Sequence, residues 1–202
     1  MDFNKLGNTD VKVSTICLGT MTWGEQNSQK EAFQQMDYAI EQGINFFDTA
    51  EIYPSPCFKK TYGATEKIIG SWLKEKKNRD KIIIASKIGG PGISWVRGGG
   101  PQYSEKNIEL AIDESLRRLQ TDYIDLYQLH WPERKTNFFG KLGFEHHEKF
   151  KTENWNKFDM ILKVLKKNID QGKIRYIGLS NETAWGLSKF LEFSGLHNLP
   201  KV

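Results

Sequence analysis

GINFFDTAEIY, residues 43 to 53, is the stretch of sequence that decides the fold. Within it the largely apolar run Ile44–Phe47 follows a glycine and ends on the carboxylate of Asp48. A short apolar run with these bounds is typical of a buried strand in a parallel sheet. Its last residue then lies at the carboxyl end of the strand, where parallel sheets place their chemistry. Asp48 and the phenol of Tyr53, on the following loop, are therefore a candidate acid/base pair.

Segments of strand character and helix character alternate five times along the chain. Apolar runs predict parallel strands at residues 14–21, 44–48, 81–87, 123–130 and 173–181. Apolar residues at helical spacing predict helices around residues 32–40, 68–73, 104–119, 155–169 and 183–193. A turn signal at residues 7–10 predicts a hairpin over residues 3–13, and residues 199–202 are predicted to begin a sixth strand.

The lengths of the connections favour one α/β architecture over another. Links from helix back to strand are short, whereas links from strand to helix are long after the second, third and fourth strands. This asymmetry predicts a (β/α)8 TIM-barrel type of fold, incomplete after about five βα units, in a single domain over residues 1–202. An open doubly wound sheet shows the same alternation. No G-x-G-x-x-G follows the first strand, which disfavours its dinucleotide-binding form.

Composition narrows the class of protein. The net charge is +4 and the 29 basic residues are dispersed, which argues against a nucleic-acid partner and is compatible with a phosphorylated ligand. Two cysteines, Cys17 and Cys57, are too few for a disulfide scaffold and predict a reducing compartment. No run approaches the ~18 apolar residues of a membrane span, so a cytoplasmic location is predicted.

Each predicted parallel strand ends on a polar or ionisable residue. These residues are Thr20, Asp48, Lys87, His130 and the pair Ser180–Asn181. Each has an ordinary alternative: the serine or asparagine caps the next helix, the histidine is a hydrogen-bonded core residue, the lysine lies on the surface, or the aspartate belongs to a turn. In a barrel, however, all the strand ends share one rim, and their convergence with Tyr53 favours a site.

The chemistry that needs an Asp, a Tyr, a Lys and a His together follows from their acid strengths. A phenol has an unperturbed pKa of about 10, and a neighbouring ammonium lowers it by favouring the phenolate. Asp48 would keep Lys87 charged, and His130 would donate a hydrogen bond that orients a substrate oxygen. Tyr53 would then act as a general acid toward a carbonyl oxygen. Such an acid requires a hydride donor, which is usually a nicotinamide.

Four motifs resemble those of the aldo-keto reductases. They are FDTAEIYP (47–54), ASK (85–87), DLYQLHWP (125–132) and KIRYIGLSN (173–181). Their order and separations suit the family, and the resemblance covers essentially the whole chain. Residues 131–144 and 176–186 are especially similar to the Tas-like bacterial branch, which is related to the β subunits of voltage-gated potassium channels.

This resemblance implies a (β/α)8 barrel that reduces aldehydes and ketones with NADPH and without a metal. It implies a catalytic tetrad of Asp48, Tyr53, Lys87 and His130, with Tyr53 as the general acid. The cofactor-binding residues that it implies are Thr20, Met21, Asp48, Ser180 and Asn181, the last two holding the nicotinamide carboxamide. The implied substrate-side residues are Trp23, His130 and Trp131, and the loops 89–103 and 131–154 are expected to shape the pocket.

Two other functions remain open at this stage. The first is a non-catalytic subunit that binds the cofactor and regulates or interacts with a partner, as the resemblance to the channel β subunits allows. Lys87 would alternatively form a Schiff base, as in lysine-dependent barrel aldolases. A zinc site at His146 and His147 is disfavoured, because adjacent histidines point in different directions and no further ligand spacing supports them.

The end of the sequence generates the first prediction. The resemblance implies three further strand–helix units beyond Val202, which carry the cofactor's remaining contacts and the segment that grips the 2′-phosphate. A missing C-terminal half or an oligomer partner is therefore expected. Open strand edges and an exposed apolar inner layer predict that the isolated chain is prone to aggregate or only partly folded, with little or no reductase activity. A cooperative thermal melt together with stoichiometric NADPH binding by the isolated chain would contradict this.

Overall fold

A parallel five-stranded sheet forms the centre of this computed structural model, which describes residues 1–100, 102–134, 136, 143 and 157–202. The strands are β3 (Cys17–Gly19), β4 (Phe46–Asp48), β5 (Ile83–Ile88), β6 (Ile124–Leu129) and β7 (Ile174–Leu179), paired in that order. The strands follow one another across the sheet in chain order, without the reversal that defines a doubly wound sheet. The barrel-type prediction is therefore confirmed, and the open doubly wound sheet is wrong.

Helices alternate with the strands as predicted. They are α1 (Gln29–Glu41), α2 (Ala64–Lys76), α3 (Glu105–Leu119), α4 (Lys157–Asp170) and α5 (Ala184–His197), with short 3-10 turns at Arg79–Lys81 and Arg97–Gly99. Ser104 caps α3 by accepting a hydrogen bond from the amide of Asn107 at 3.2 Å. Trp155, assigned to the fourth helix from the sequence, lies outside the described residues. None of the described helices has the length and apolar character needed to cross a membrane.

The predicted N-terminal hairpin is present, with antiparallel strands β1 (Phe3–Lys5) and β2 (Lys12–Ser14). It is tied to the residues just before β4 by three hydrogen bonds. The amide of Ser14 donates to Asn45 Oδ1 at 2.8 Å, the amide of Asn45 donates to Ser14 Oγ at 3.2 Å, and Asn45 Nδ2 donates to the Lys12 carbonyl at 3.0 Å. The hairpin therefore lies at the amino ends of the parallel strands, opposite the rim where the site is expected.

The sixth strand predicted at Leu199–Val202 is wrong, because these residues belong to no strand. The amide of Leu199 donates to the Ser194 carbonyl at 2.9 Å, and its carbonyl accepts from Ser194 Oγ at 2.7 Å. These bonds use the backbone N–H and C=O of Leu199, which in a strand would pair with an adjacent strand. The segment is held against the end of α5 instead.

The two faces of the sheet differ in burial, as expected for a partial barrel. Residues that alternate toward the helices, such as Phe47, Ile84 and Tyr127, are fully buried in the core. Leu126 and Tyr176, a cross-strand pair on the opposite face, are only half-buried. In the described part of the sheet β3 and β7 are the edge strands. The helices therefore bury one face, and the inner face remains partly open.

The packing of α2 on α3 depends on a glycine. A Cβ added at Gly70 would lie 2.3 Å from the carbonyl oxygen of Arg118 and 2.7 Å from the carbonyl carbon of Leu119. Backbone atoms at these distances cannot move aside individually, so α2 approaches the end of α3 only because residue 70 has no side chain. In contrast, Gly195 on α5 has nothing within 4 Å of its added Cβ.

We expect Gly70→Ala to lower the free energy of unfolding by about 2 kcal/mol, because the two helices must separate to admit the methyl group. The matched control Gly195→Ala places the same methyl group in open space on a helix. It should raise the free energy of unfolding by about 0.5 to 1 kcal/mol through helix propensity. Urea unfolding midpoints, measured in a chain extended by the three strand–helix units that the resemblance implies, report both changes. Equal effects of the two variants would contradict the close approach.

Candidate active site

Lys87 is the centre of the cluster at the carboxyl ends of the strands. It lies on the inner face of β5 and is 4% exposed. Its Nζ lies 2.5 Å from Asp48 Oδ2, 2.8 Å from the Thr49 carbonyl oxygen and 3.4 Å from the phenol oxygen of Tyr53. The alternative of a surface lysine is therefore wrong. The ammonium joins the carboxylate to the phenol in one hydrogen-bonded chain.

Asp48 is the last residue of β4, and both its side chain and its backbone are held. Gln128 Nε2 donates to Asp48 Oδ1 at 3.1 Å, while the second oxygen accepts from the lysine. The backbone carbonyl of Asp48 accepts from the amide of Thr20 at 3.2 Å and from Thr20 Oγ1 at 2.8 Å. These bonds fix the carboxylate between β3, β5 and β6. The turn alternative for Asp48 is wrong.

His130 follows β6 and lies edge-on to Tyr53, with the two ring centroids 5.7 Å apart. Burial, and secondarily the positive charge of Lys87, lower the pKa of His130 from 6.5 to about 3. The imidazole is therefore neutral at physiological pH and carries a single N–H. Within the described part of the chain, His130 Nδ1 is buried and has no hydrogen-bond partner. The alternative that His130 is a hydrogen-bonded core residue is therefore wrong.

The loop that carries Tyr53 is tied to the rim on both sides. The amide of Glu51 donates to the Lys87 carbonyl at 3.1 Å, and the amide of Ser55 donates to the Met21 carbonyl at 2.8 Å. Tyr53 is half-buried, and Met21 is 47% exposed. The phenol is therefore held beside the ammonium while one side of it faces the open rim.

Ser180 and Asn181 follow β7 directly beside His130. The Asn181 Nδ2 donates to the His130 carbonyl at 2.9 Å and contacts Ser180 Oγ at 3.0 Å. Asn181 has a positive φ of 55°, in the left-handed region. Neither residue caps the next helix, because Thr183 is the N-cap of α5 and accepts from the amide of Gly186. The capping alternative is wrong, and an amide and a hydroxyl are left at the rim.

Two predicted contact residues have other roles. Trp23 was expected on the substrate side, but it is fully buried in the helix-side core and its indole donates to Gln35 Oε1 at 2.8 Å. Thr20 was expected to contact a cofactor, but it is fully buried and its hydroxyl is bonded to Asp48. Trp131 is half-buried, and its backbone amide donates to the phenol oxygen of Tyr103 at 3.1 Å. His146 and His147 lie outside the described residues.

Sequence reasoning missed two residues of the cluster. Gln128 precedes His130 by two residues, so period-two alternation on β6 places both on the inner face, and this signal was available in the sequence. Glu51 lies two residues before Tyr53, is fully buried and accepts from the amide of Gly89. No periodic pattern extends into that loop, and hence no local signal marks this carboxylate.

The lowered pKa of His130 predicts a pH dependence of stability. Between about pH 6.5 and pH 3 the unfolded chain binds a proton at His130 that the folded chain does not bind. The free energy of unfolding should therefore fall with decreasing pH in this window, by up to about 1.4 kcal/mol per unit from this residue. In the same extended chain, the urea midpoint of the wild type should fall relative to that of His130→Gln as the pH falls from 7 to 4. A difference that stays constant over this range would contradict the prediction.

The comparisons with known proteins agree with the geometry. The family model described as the aldo/keto reductase family matches residues 15–198. The chain is 46% identical to the protein Tas of Escherichia coli. That match covers 100% of this chain and 58% of the length of Tas. It is 37% identical to the uncharacterized oxidoreductase YrpG of Bacillus subtilis, covering 94% of this chain and 52% of the relative.

A solved structure is similar across nearly the whole chain. It is aldo-keto reductase AKR11C1 from Bacillus halodurans in its holo form, with a TM-score of 0.71 and 31% identity. The match covers 95% of this chain and 54% of that one. The chain thus spans somewhat more than half the length of the relatives that it matches. The family model, the relatives and the strand-end cluster all lead to one conclusion: the chain belongs to the aldo/keto reductase family.

Proposed function

We propose that this chain carries the proton-donating part of an NADPH-dependent reductase of aldehydes and ketones, with Tyr53 as the general acid. The observation that carries the proposal is the hydrogen-bonded chain from Asp48 through Lys87 to the phenol oxygen of Tyr53. Reduction of a carbonyl adds hydride to carbon and a proton to oxygen, and a general acid positioned at the oxygen lowers the barrier. A half-buried phenol at an open rim is suitably placed to supply that proton.

The charge next to Tyr53 favours proton donation. When the phenol gives up its proton, the negative charge left on its oxygen lies 3.4 Å from the ammonium of Lys87. A preorganised cation stabilises charge as it develops, without any reorganisation of solvent. Asp48 places an opposite charge 2.5 Å from the ammonium in the ground state.

His130 orients the substrate. Because its imidazole is neutral and edge-on to Tyr53, its N–H is a hydrogen-bond donor that does not compete as an acid. A carbonyl oxygen that lies between the imidazole and the phenol would accept from both. The first bond would hold the substrate and the second would transfer the proton.

The rim also has groups that fit a nicotinamide cofactor. The Asn181 amide nitrogen already donates to the His130 carbonyl and to Ser180 Oγ. The Ser180 hydroxyl would therefore donate to the carbonyl of a carboxamide, and the Asn181 amide oxygen would accept from its amine. When bound, the cofactor supplies the hydride. NADPH is proposed over NADH because it is the cofactor that the family resemblance implies, and the holo form of the similar structure supports a bound cofactor. A cytoplasmic location and a small carbonyl substrate are part of the same proposal.

The contacts of Lys87 do not favour the Schiff-base alternative. A nucleophilic lysine must present a free amine to the substrate. Here Nζ lies within hydrogen-bond distance of a carboxylate, a backbone carbonyl and a phenol, and the side chain is 4% exposed. These acceptors suit a retained ammonium.

The test uses the chain completed with the C-terminal part of Escherichia coli Tas, aligned to follow Val202. NADPH oxidation with an aromatic aldehyde is followed at its absorbance maximum. We expect Tyr53→Phe to lower kcat by about 100-fold or more, since general acid catalysis contributes factors of this size. NADPH binding, measured by fluorescence, should be unchanged.

The matched control is Tyr38→Phe, which removes the same hydroxyl from an exposed position on α1. It should leave kcat unchanged. Equal rates for the wild type and Tyr53→Phe would remove Tyr53 as the acid. Stoichiometric NADPH binding without turnover of any carbonyl compound would instead support the non-catalytic subunit.

A further inference from the structure

Glu51 is a fully buried carboxylate whose partners come from distant parts of the chain. Its Oε1 accepts from the amide of Gly89 at 2.5 Å, and its Oε2 accepts from the phenol of Tyr62 at 2.9 Å. Arg97 donates to both oxygens, through Nη1 to Oε2 at 2.9 Å and through Nη2 to Oε1. Such a bidentate guanidinium–carboxylate pair fixes orientation as well as distance.

The position of Glu51 joins two loops that meet over the strand ends. Glu51 lies two residues before Tyr53, and its own amide donates to the Lys87 carbonyl at 3.1 Å. Gly89 and Arg97 belong to the loop that follows β5. The approach is close, because a Cβ at Gly89 would lie 2.7 Å from Ile52 Cγ2. One carboxylate therefore links the phenol's loop, the end of β5 and the next loop.

The partner loop is built around the guanidinium of Arg97. This residue has a φ of 45°, an uncommon conformation for a residue other than glycine. Its Nε donates to Gln102 Oε1 at 2.9 Å, and Gln102 Nε2 donates to the Gly100 carbonyl at 2.8 Å. Backbone strain of this kind persists only where the surroundings enforce it. The ion pair with Glu51 and the bond to Gln102 together hold Arg97 in this conformation.

A second pair extends the cluster toward the helices. Arg118 Nε lies 2.6 Å from Glu66 Oε2, and Ser86 Oγ donates to Glu66 Oε1 at 2.5 Å. Arg118 also lies 4.0 Å from Glu51. Ser86 immediately precedes Lys87, so the ionic cluster borders the catalytic cluster on the helix side of β5.

We propose that Glu51 is a positioning residue, which holds the Tyr53 loop and the loop of residues 89–100 in fixed relation to Lys87. The inference rests on the proposed reductase function and deepens it. Removing one member of a buried ion pair lowers stability, and a bidentate pair also fixes orientation, so the positioning role must be separated from the loss of stability. Loosening the pair would let the phenol move relative to the ammonium and the substrate oxygen, which lowers the rate of proton transfer.

The experiment uses the completed chain described above, with variants Glu51→Gln and Arg97→Met. Glutamine keeps the size of the side chain and removes the charge, whereas methionine removes the fork of donors and keeps the apolar stem. Either variant should lower kcat by about 10- to 100-fold, with the dissociation constant of NADPH changed less than about threefold. Amide hydrogen exchange should accelerate in residues 49–56 and 89–100.

A matched control separates positioning from lost stability. Asp125 is 1% exposed, lies 2.7 Å from Arg79 and 2.8 Å from Arg175, and accepts from the amide of Ile84 at 3.0 Å. It thus repeats the environment of Glu51 near the opposite ends of the strands. Asp125→Asn should lower the melting temperature to a similar extent while leaving kcat and the exchange of the two loops unchanged.

Each outcome decides one proposal. Unchanged exchange in both loops for Glu51→Gln and Arg97→Met overturns the positioning role, whatever the activity. Accelerated exchange with wild-type kcat also overturns it, and so does a kcat loss of equal size in Asp125→Asn. If the wild-type completed chain reduces no carbonyl compound, the proposed function fails, and hydrogen exchange alone then tests whether Glu51 fixes the two loops.

Discussion

A buried ammonium on the inner face of the sheet is the constraint on which the candidate site depends. A lysine that is 4% exposed is costly to hold as a cation unless acceptors surround it. Asp48 and Thr49 provide a carboxylate and a carbonyl within 2.8 Å. They are within reach only because β4 and β5 are adjacent parallel strands with Asp48 beside Ala85. Strand register therefore determines where the ammonium of Lys87 lies. The phenol oxygen of Tyr53 lies 3.4 Å from that ammonium.

The sheet separates two ionic clusters, one on each face of β5. Ser86 and Lys87 are neighbours on β5 and point to opposite faces, as alternation in a strand requires. Ser86 contacts Glu66 on the helix side, and Lys87 contacts Asp48 on the inner side. On the helix side, burial raises the pKa of Tyr62, and the nearby Glu51 raises it further, so this phenol stays protonated and donates. The helix-side cluster fixes structure, while the inner cluster keeps a face open for chemistry.

Much of the fold and part of the site could be predicted from the sequence. Apolar periodicity and loop lengths predicted the strands, and because parallel strands end at one rim, their last residues predicted Asp48, Lys87 and His130 as neighbours. The resemblance implied Trp23 on the substrate side, but its indole packs in the helix-side core and donates to Gln35, a contact that no motif in the sequence indicates. Glu51 was missed for a related reason: its partner Arg97 is 46 residues away, and only the folded loops bring the two together.

The residues of the strand-end cluster differ in how the sheet supports them. Asp48, Lys87 and Gln128 lie on β4, β5 and β6, each paired on both sides by other strands. Ser180 and Asn181 follow β7, which is an edge strand of the described sheet. Their placement therefore depends on the pairing with β6 and on the Asn181 bond to the His130 carbonyl. The Asp48–Lys87–Tyr53 arrangement is supported by interior strands, so the placement of Ser180 and Asn181 is the part of the cluster that depends most on a sheet edge.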